Sequence, residues 1–402
     1  MEAHPLVTKL RIGVLGLRRG LTHFVNLLSL EEVDLVGACD RFSAKREQAQ
    51  VHAVRGDAEA RIVPEFEDLL GMDLDAVVVA SNGKLQVEHA CTAMEAGCHV
   101  LSEVPGAYTQ DELVRLKETV ERTKKTYMLA ENACYNDFLK YWRKWVLNDR
   151  FGPISIAEGE YLHYLPKTLF LPDGERLSPR EAAAAGETDT RPIWRADQPP
   201  IQYLTHDLGP LLEILDDRCV SVTCMSAPWH SKEAPLRSDG QIALFQTQKG
   251  TLIKIMVTLN SPRPSEHRYR LFGVGGGVEW FFYEKFGRYF GPEIPEEEGW
   301  MTVSIGKSSM DDDPSTGHGG TDLKTVRHFV ETLLEGRASP IDVDRTIEYA
   351  LPGIIAAESA ENGGVPLQIP DLRREPFTGS RFWESIDLPE DEPDFAPYQP
   401  QG

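Results

Sequence analysis

Positive charge is scarce in this sequence: 42 lysine and arginine residues stand against 63 aspartate and glutamate residues, which gives a formal net charge of −21. Nucleic acids and anionic membranes bind positive surfaces, so we expect neither as a partner. The sequence also lacks an apolar run long enough to span a membrane, and residues 1–10 contain no apolar segment typical of a signal peptide. These absences indicate a soluble protein, which we expect to be cytoplasmic.

Cysteine is also scarce, and the spacing of the six cysteines does not suit a metal site. None of the six cysteines forms a Cys-x-x-Cys pair, and several lie in apolar, strand-like runs, as small core residues do. We therefore expect a reducing compartment and no metal. The 402 residues, 41% hydrophobic and 26% charged, are typical of a globular protein with two domains or one large one.

The N-terminal segment has the order strand, tight turn, helix, strand and acidic residue. Leu10–Gly16 is an apolar run ending in glycine, a helical pattern starts near Gly20, and a second apolar run over 33–39 ends at Asp40. A dinucleotide-binding unit needs this order, because the turn and the helix N-terminus bind the pyrophosphate and the acid binds the ribose hydroxyls. Asp40 favours NAD over NADP, since a carboxylate repels a 2′-phosphate. Arg41 either offsets this repulsion or stacks on adenine.

The glycine signature is incomplete. Gly16-Leu17-Arg18-Arg19-Gly20 is one residue short of G-x-G-x-x-G, and Arg18 stands where the second glycine would fall. A strand–turn–helix unit without a ligand therefore remains an alternative. Further apolar runs at 74–80, 98–102 and 127–130 alternate with helical segments, which predicts a parallel sheet with ligands at the carboxyl ends of its strands. Those ends are at Gly16, Asp40, Ser81, Glu103 and Glu131.

The chain changes character after about residue 150. Strand-like runs at 154–164, 219–226, 241–247, 251–258 and 269–274 predict a largely antiparallel sheet, and His318 to Leu334 reads as a helix. Residues 167–200 and the acidic, proline-rich 387–402 have no regular period, so we expect both to be irregular. The predicted fold is an α/β Rossmann domain over residues 1–133 followed by an α+β domain with a large, mostly antiparallel open sheet over 134–402.

Residues 101–107, Leu-Ser-Glu-Val-Pro-Gly-Ala, resemble the Glu-Lys-Pro segment of the sugar dehydrogenases in the glucose–fructose oxidoreductase/inositol dehydrogenase (Gfo/Idh/MocA) family. In those enzymes the lysine lies by the nicotinamide and helps to move a proton from the reacting hydroxyl. Val104 stands in its place and cannot exchange a proton. Gln202 is a second departure, because the dehydrogenases typically have aspartate four residues before the histidine of the catalytic region.

Six segments in order are similar to one branch of that family, the NAD-dependent glycoside hydrolases of the α-N-acetylgalactosaminidase type. They are residues 103–107, 131–135, 159–163, 203–210, 261–264 and 317–320. The resemblance implies NAD as cofactor and cleavage of a glycoside by transient oxidation at C3, elimination, water addition and re-reduction. It also implies that the open sheet face packs against a second subunit, in a homodimer or homotetramer. An N-acetylgalactosaminide or a sulfonated-sugar glycoside would be the substrate.

Proton transfer in such a reaction needs bases and an acid. Tyr161 and His163 lie two apart on a predicted strand and share a face, and His206 lies in a loop-to-helix turn. We predict Tyr161 and His206 as the proton-transfer pair, with His163 and Glu131 placing or relaying; tyrosine would need its pKa lowered by a nearby cation to act as a base. Ordinary packing roles remain open for all three rings, as does a metal held by Glu131, His163 and His206.

The remaining predicted site residues divide into two groups. The predicted cofactor-binding residues are Gly16, Leu17, Arg18, Gly20, Asp40, Arg41, Ser81, Asn82, His89, Glu103, Val104 and Asn132. The predicted substrate-binding residues are Tyr135, Lys167, Arg191, Trp194, Arg195 and Tyr203, of which Lys167, Arg191 and Arg195 would suit an anionic sugar. An NAD(P)-dependent sugar or polyol dehydrogenase, and a dinucleotide-sensing regulator without catalysis, are the competing hypotheses.

Overall fold

The computed structural model describes residues 9–230, 237–305 and 317–398. Its contacts divide the chain into two compact units. The first contains Met1–Asn132 and Ser309–Thr346, and the second contains Ala133–Ser308 and Ile347–Gly402. Each unit is therefore built from two separate stretches of sequence.

The first unit begins as a run of alternating strands and helices. The strands are β1 (Leu10–Leu15), β2 (Val33–Cys39), β3 (Arg61–Val63), β4 (Ala76–Val79), β5 (His99–Ser102) and β6 (Tyr127–Leu129). The helices between them are α1 (Gly20–Leu28), α2 (Ser43–Arg55), α3 (Phe66–Leu70), α4 (Gln86–Glu95) and α5 (Gln110–Thr123). The strands pair in parallel in the order β3-β2-β1-β4-β5-β6, which confirms the predicted Rossmann sheet.

Sequence chemistry explains these elements locally. The strands are apolar without alternation because helices cover both faces; Val77, Val78 and Val79 of β4 are fully buried. Helix α5 starts at a capping box, in which the Thr109 hydroxyl accepts from the Glu112 N–H and the Glu112 carboxylate accepts from the Thr109 N–H. Strand β3, Arg-Ile-Val, was not predicted because its two apolar residues are too few to form an apolar run.

The second unit contains a sheet of ten strands. Helix α6 (Asp137–Leu147) leads into β7 (Ile154–Leu162), the first strand of this sheet. A separate three-stranded sheet follows, made of β8 (Leu169–Phe170), β9 (Arg176–Leu177) and β10 (Arg191–Pro192), with helix α7 (Pro179–Ala185) between β9 and β10. Helix α8 (Thr205–Leu215) comes next. The large sheet continues with β11 (Cys219–Ser226), β12 (Gly240–Thr247), β13 (Leu252–Thr258), β14 (Glu266–Gly273), β15 (Gly276–Phe281), β16 (Phe286–Phe290) and β17 (Met301–Ser304).

The chain then returns to the first unit before completing the second. Helix α9 (Thr321–Glu335) contacts α1 of the first unit, and helix α10 (Val343–Glu361) leads back to β18 (Leu367–Gln368) and β19 (Asp394–Pro397). Residues 309–346 thus belong with the first unit, whereas the sequence analysis placed them in the second domain. A helical pattern shows which face is apolar and gives no information about which sheet it packs against.

The ten strands have the order β18-β11-β12-β13-β7-β14-β15-β16-β17-β19, and every neighbouring pair except β13–β7 is antiparallel. This confirms the predicted mostly antiparallel sheet. Two expectations were wrong. Residues 167–200 are not irregular, because they form β8–β10 and α7, whose Ser178 and Glu181 make a capping box. Of the predicted irregular tail over 387–402, residues 399–402 lie outside the described residues; in the part before them β19 pairs with β17, and the Glu392 carboxylate accepts from the Trp145 indole.

Candidate active site

The first site lies at the carboxyl ends of the strands in the first unit, starting with the turn after β1. Gly16 has φ +88°, and a Cβ there would lie 2.4 Å from the Ala80 carbonyl oxygen, so only glycine fits. A Cβ at Gly20 would lie 3.0 Å from side-chain atoms of Val14 and Ala80. Because glycine has no Cβ, α1 can start close against the sheet. The shortened turn therefore keeps two of the three glycine functions of a dinucleotide cradle, a tight turn and a closely packed helix, while Arg18 stands at the position of the other.

Asp40, at the end of β2, fixes this turn. One carboxylate oxygen accepts from the Leu17 N–H at 2.7 Å and the other from the Phe42 N–H at 2.9 Å. Each carboxylate oxygen has a second lone pair, so a ribose hydroxyl can still donate to it. Arg18 is exposed, and the partial burial of its guanidinium lowers its pKa, an effect that Asp40 partly offsets. Arg41 lies over the Phe42 ring, 4.5 Å from its centroid.

Ser81 and His89 form a second part of the cradle beyond β4. The Ser81 hydroxyl lies 2.7 Å from His89 Nδ1, and burial lowers the pKa of His89, which favours a neutral ring. Asn82 accepts a hydrogen bond from the Lys84 N–H and caps the short 3-10 turn before α4. Polar groups at three neighbouring strand ends thus surround the position that the dinucleotide needs.

A buried ionic cluster follows β5. The Glu103 carboxylate contacts Arg19 Nε at 2.9 Å and His23 Nε2 at 2.6 Å, and Arg19 also binds Asp322 of α9 through two hydrogen bonds of 2.7 Å. Burial alone would raise the pKa of Glu103, but the Arg19 guanidinium and the His23 hydrogen bond lower it to about 2. Asn132 donates to the same Asp322 carboxylate at 2.6 Å.

Arg19 and Asp322 were missed by the sequence analysis, which singled out Arg18 instead. Asp322 is fully buried, and its pKa is held far below the ordinary value, because Arg19 and His318 outweigh the effect of burial. Val104, buried at 4% exposure, follows Glu103 directly. Two basic side chains contact Glu103 in the described part of the chain. Arg19 is charged at neutral pH, whereas His23 is charged only when it is protonated.

The second site lies in the other unit, where β7, α8 and β14 bring aromatic and imidazole rings together. The Tyr161 ring stacks on His163 with centroids 4.1 Å apart and lies parallel to His206 at 5.9 Å. Tyr203 meets Tyr161 and His206 edge-on, each at 5.2 Å. The predicted Tyr161, His163, His206 and Tyr203 are therefore neighbours in one cluster, which we call the ring cluster.

Arg195 and Trp194 border the ring cluster. The Arg195 guanidinium lies 3.9 Å from the Tyr203 ring centroid and 5.0 Å from that of Trp194, so its charge faces two aromatic rings. The other predicted cations differ, since Lys167 is exposed and lies 3.8 Å from Glu181, and Arg191 is exposed on β10.

Tyr161 does not have the lowered pKa that its predicted role as a base requires. Its side chain is buried, and burial raises the pKa far above the ordinary value of tyrosine, although Arg195 acts in the opposite direction. The expected cation is therefore present, but desolvation of the phenolate outweighs it. Tyr161 is therefore a neutral phenol that can donate a hydrogen bond.

Two residues of this cluster were not predicted. His267 on β14 lies directly opposite Tyr161 of β7 in the antiparallel ladder, and its Nδ1 lies 3.1 Å from the Asp207 carboxylate. The predicted strand began at Tyr269, so His267 fell outside it. Its alternation with the inward-facing Tyr269 and Leu271 was the signal that could have identified it.

Two further predicted residues are Glu131 and Tyr135. Glu131 belongs to the first unit, where it follows β6 and is fully buried. Tyr135 belongs to the second unit, and its ring packs edge-on against Phe382 at 5.2 Å. Among the described residues, no group of three histidine, cysteine, aspartate or glutamate side chains is arranged to hold a metal ion.

The sequence matches two family models. The NAD-binding Rossmann domain of the GFO_IDH_MocA oxidoreductase family matches residues 10–131, and the C-terminal domain of glycosyl hydrolase 109 matches residues 230–379. A glycosyl hydrolase family 109 protein of Saccharopolyspora erythraea is 26% identical, over 93% of this chain and 84% of that protein. One from Solibacter usitatus is 28% identical, over 90% and 88%.

Solved structures agree on the fold. Levoglucosan dehydrogenase in complex with NADH and L-sorbose aligns with TM-score 0.72 at 17% identity, over 91% of this chain and all of that one. An oxidoreductase domain protein from Kribbella flavida aligns with TM-score 0.71 at 17% identity, over 90% of this chain and all of that one. The predicted cofactor, NAD, is confirmed by the NAD-binding domain, whose glycine turn and Asp40 are in place. The chain is therefore an NAD-dependent glycosidase of the Gfo/Idh/MocA family, in which an oxidoreductase Rossmann domain is joined to the C-terminal domain of glycosyl hydrolase 109.

Proposed function

We propose that this enzyme cleaves a glycosidic bond by transient oxidation at C3 of the sugar, elimination of the group at C1, addition of water and reduction at C3. The observation that carries the proposal is the ring cluster, in which two histidines each lie within 6 Å of the neutral Tyr161 by ring centroids. When bound, NAD⁺ supplies the reversible removal of hydride from C3.

The route needs three proton transfers besides the hydride steps. A base takes the C3 hydroxyl proton, a base takes the C2 proton made acidic by the neighbouring ketone, and an acid protonates the leaving group. Histidine exchanges protons near neutral pH, so His206 and His163 are suited to the two base roles. Burial raises the pKa of Tyr161, which keeps the phenol protonated but makes it a weak acid, so we assign it to donate a hydrogen bond, and with it the proton, to the leaving-group oxygen.

The missing lysine is consistent with this division of labour. Val104 cannot take the C3 hydroxyl proton, so we assign that role to a histidine of the ring cluster, and Glu131 remains a predicted placing or relaying residue. Arg19 is held between Glu103 and Asp322, so its positive charge lies beside Glu103, the residue before Val104. We infer that it orders the segment after β5 and that it exchanges no proton itself.

Arg195, Trp194 and Tyr203 are suited to bind the sugar. Aromatic faces pack against the apolar C–H faces of sugar rings, and a guanidinium binds an oxyanion or a row of hydroxyls in a fork geometry. One cation at the ring cluster suits either an N-acetylgalactosaminide or a sulfonated-sugar glycoside, and these are the two substrates that we propose. The exposed Lys167 and Arg191 are less suited to reach the sugar.

A second copy of the chain is the expected partner of the open sheet face. Residues on this face alternate with the core residues along each strand, and they include Ile156, Ile242, Leu244 and Phe272, each at least 37% exposed. Ion pairs of Glu158 with Lys254 and Arg270 lie on the same face. Apolar side chains around satisfied ion pairs suit an isologous dimer interface. All six cysteines are buried thiols, which suits the cytoplasmic location that we propose.

The test is a panel of α- and β-linked 4-nitrophenyl glycosides, including the N-acetylgalactosaminide and the sulfoquinovoside, with catalytic NAD⁺ and absorbance read for both nitrophenol and NADH. We expect nitrophenol release without NADH accumulation, since the cofactor is regenerated in each turnover. NADH rising in step with substrate loss, without nitrophenol, would replace the hydrolase by a sugar dehydrogenase. A completely inactive protein that still binds NAD⁺ would favour the regulator.

In the part of the chain that the structure describes, no helix combines the length and the apolar composition needed to cross a membrane.

A further inference from the structure

A chain of hydrogen-bonding groups runs from the ring cluster into the core of the second unit. His163 Nε2 lies 3.2 Å from His267 Nε2, and His267 Nδ1 lies 3.1 Å from an Asp207 carboxylate oxygen. Asp207 is fully buried and His267 is 9% exposed, whereas His163 is half-buried. The three groups thus form a line from a more accessible imidazole to a buried carboxylate.

The geometry fixes which ring nitrogens carry protons. A carboxylate accepts hydrogen bonds, so His267 carries a proton on Nδ1. A neutral His267 then has a lone pair on Nε2, and the Nε2 of His163 must donate to it. A neutral His163 consequently has its lone pair on Nδ1, in the form that can accept a proton from a ligand.

We propose that Asp207 and His267 are positioning residues that hold His163 in this tautomer and take up the proton that His163 accepts. In the loading step a proton binds His163 Nδ1, the Nε2 proton of His163 moves to His267 Nε2, and His267 becomes an imidazolium beside the Asp207 carboxylate. The return step reverses both transfers, so no proton is lost or gained over one turnover. This inference rests on the proposed hydrolase function and assigns residues to its proton transfers.

The backbone places Asp207 for this role. Asp207 lies in the first turn of α8, where the helix dipole favours a negative charge. A Cβ at residue 159 would lie 2.9 Å from the Asp207 Cβ, so Gly159 in β7 allows α8 to approach the sheet closely enough for the carboxylate to reach β14. The backbone at Gly159 therefore leaves room for the Asp207 carboxylate to lie beside His267 as its counter-charge.

The surroundings of His267 are aromatic and acidic. Its ring meets Tyr161 at 4.9 Å, His206 at 6.1 Å and Tyr283 at 6.1 Å by ring centroids. The Glu266 carboxylate accepts from the backbone N–H groups of His267 and Tyr283. Among the interactions that the structure describes, the charged groups near the two histidines are the Asp207 and Glu266 carboxylates, with the Arg195 guanidinium over the Tyr203 ring. Two carboxylates can compensate the charge of the imidazolium that the loading step creates.

The first experiment reads the tautomers directly. In protein labelled with ¹⁵N-histidine, the His267 signals, assigned by their loss in His267→Gln, should show a protonated Nδ1 and an unprotonated Nε2 at the pH at which both histidines are neutral. A His267 protonated on Nε2 instead would overturn the relay. This measurement needs no substrate, so it remains decisive even if the proposed hydrolase function fails.

The second experiment measures the pH profile of glycoside hydrolysis for Asp207→Asn. Asparagine keeps the shape but removes the counter-charge and can present the wrong hydrogen-bonding group to Nδ1, so we expect kcat to fall about ten- to hundredfold. We also expect the acid limb of the profile to move to lower pH by about one unit, because the relay becomes a weaker base. KM should change little, since neither positioning residue touches the sugar.

Controls separate the relay from a structural effect. His267→Gln should reproduce the loss of kcat, whereas His230→Gln, at an exposed histidine paired with Asp239, should leave it unchanged. Unaltered melting and NAD⁺ binding of Asp207→Asn would show that it folds. A folded Asp207→Asn with the wild-type pH profile and kcat would refute the relay while leaving the hydrolase in place, whereas a wild-type protein inactive on every glycoside would refute the hydrolase alone.

Discussion

Replacing Arg19 by methionine should destabilise the first unit by about 3 kcal/mol at pH 7. Arg19 is the cation shared by the buried carboxylates of Glu103 and Asp322, which are 7% and 0% exposed at the side chain. Lowering the Glu103 pKa from 4.5 to about 2 corresponds, at about 1.36 kcal/mol per unit, to about 3 kcal/mol. Removing one partner of a buried ion pair independently costs about 3 to 5 kcal/mol.

The pH dependence of this loss has a definite sign. In the wild type the depressed Glu103 pKa contributes stability that is fully present above pH 4.5 and is lost as the pH falls from 4.5 towards 2. In Arg19→Met, burial without the cation should raise the same pKa above its unfolded value. The variant should therefore gain stability as the pH is lowered from 7 to 5, while the wild type should not.

The assay is urea unfolding without NAD⁺, followed by circular dichroism and by tryptophan fluorescence. All seven tryptophans belong to the second unit, so fluorescence reports on that unit while circular dichroism reports on both. Arg122→Met is the matched control, because Arg122 and Glu95 form an ion pair in the same unit with both side chains about half exposed, worth at most about 1 kcal/mol. A loss below about 1 kcal/mol in Arg19→Met, or no recovery between pH 7 and 5, would show that the cluster is not held by Arg19.

Three further substitutions test the two sites. Gly16→Ala should weaken NADH binding more than tenfold in a fluorescence titration, because φ +88° and the 2.4 Å approach both exclude a Cβ; an unchanged Kd would mean that the turn does not bind the cofactor. Asp40→Asn should weaken NAD⁺ binding at least about tenfold, since hydrogen bonds to a charged group contribute about 1.5 to 3 kcal/mol, and equal affinity would remove Asp40 from the ribose site. Tyr161→Phe should lower kcat for glycoside hydrolysis about 10²- to 10⁴-fold with an unchanged Tm, whereas Tyr164→Phe, at an exposed tyrosine, should not; equal rates in both would exclude Tyr161 as the acid.

The sequence predicted the Rossmann sheet well because its signals are local. Each buried parallel strand is a short apolar run, and the observed β4, β5 and β6 match the predicted runs within two residues at each end. The two-residue strands β8, β9 and β10 were missed for the converse reason, since an element of two residues has no period. Strand β19 was missed because it depends on pairing with β17, a distant strand that its own sequence does not indicate.

The same distinction applies to the site residues. Tyr161 and His163 could be paired from the sequence, because residues two apart on a strand share a face. Arg19 and Asp322 are 303 positions apart, and His267 and Asp207 are 60 apart on a strand and a helix, so no spacing rule connects them. The raised pKa of Tyr161 was also beyond the sequence, because it depends on burial that only the packed fold creates.

The interleaving of the two units has a consequence for biosynthesis. The first unit needs residues beyond 308, and the second needs residues beyond 346, so neither is complete when its N-terminal stretch leaves the ribosome. A nascent chain ending at residue 132 has Arg19 and Glu103 but not Asp322, and its sheet therefore lacks the helix that carries that carboxylate. The native fold of either unit thus becomes available only late in synthesis, and no single cut of the chain yields an intact nucleotide-binding fragment.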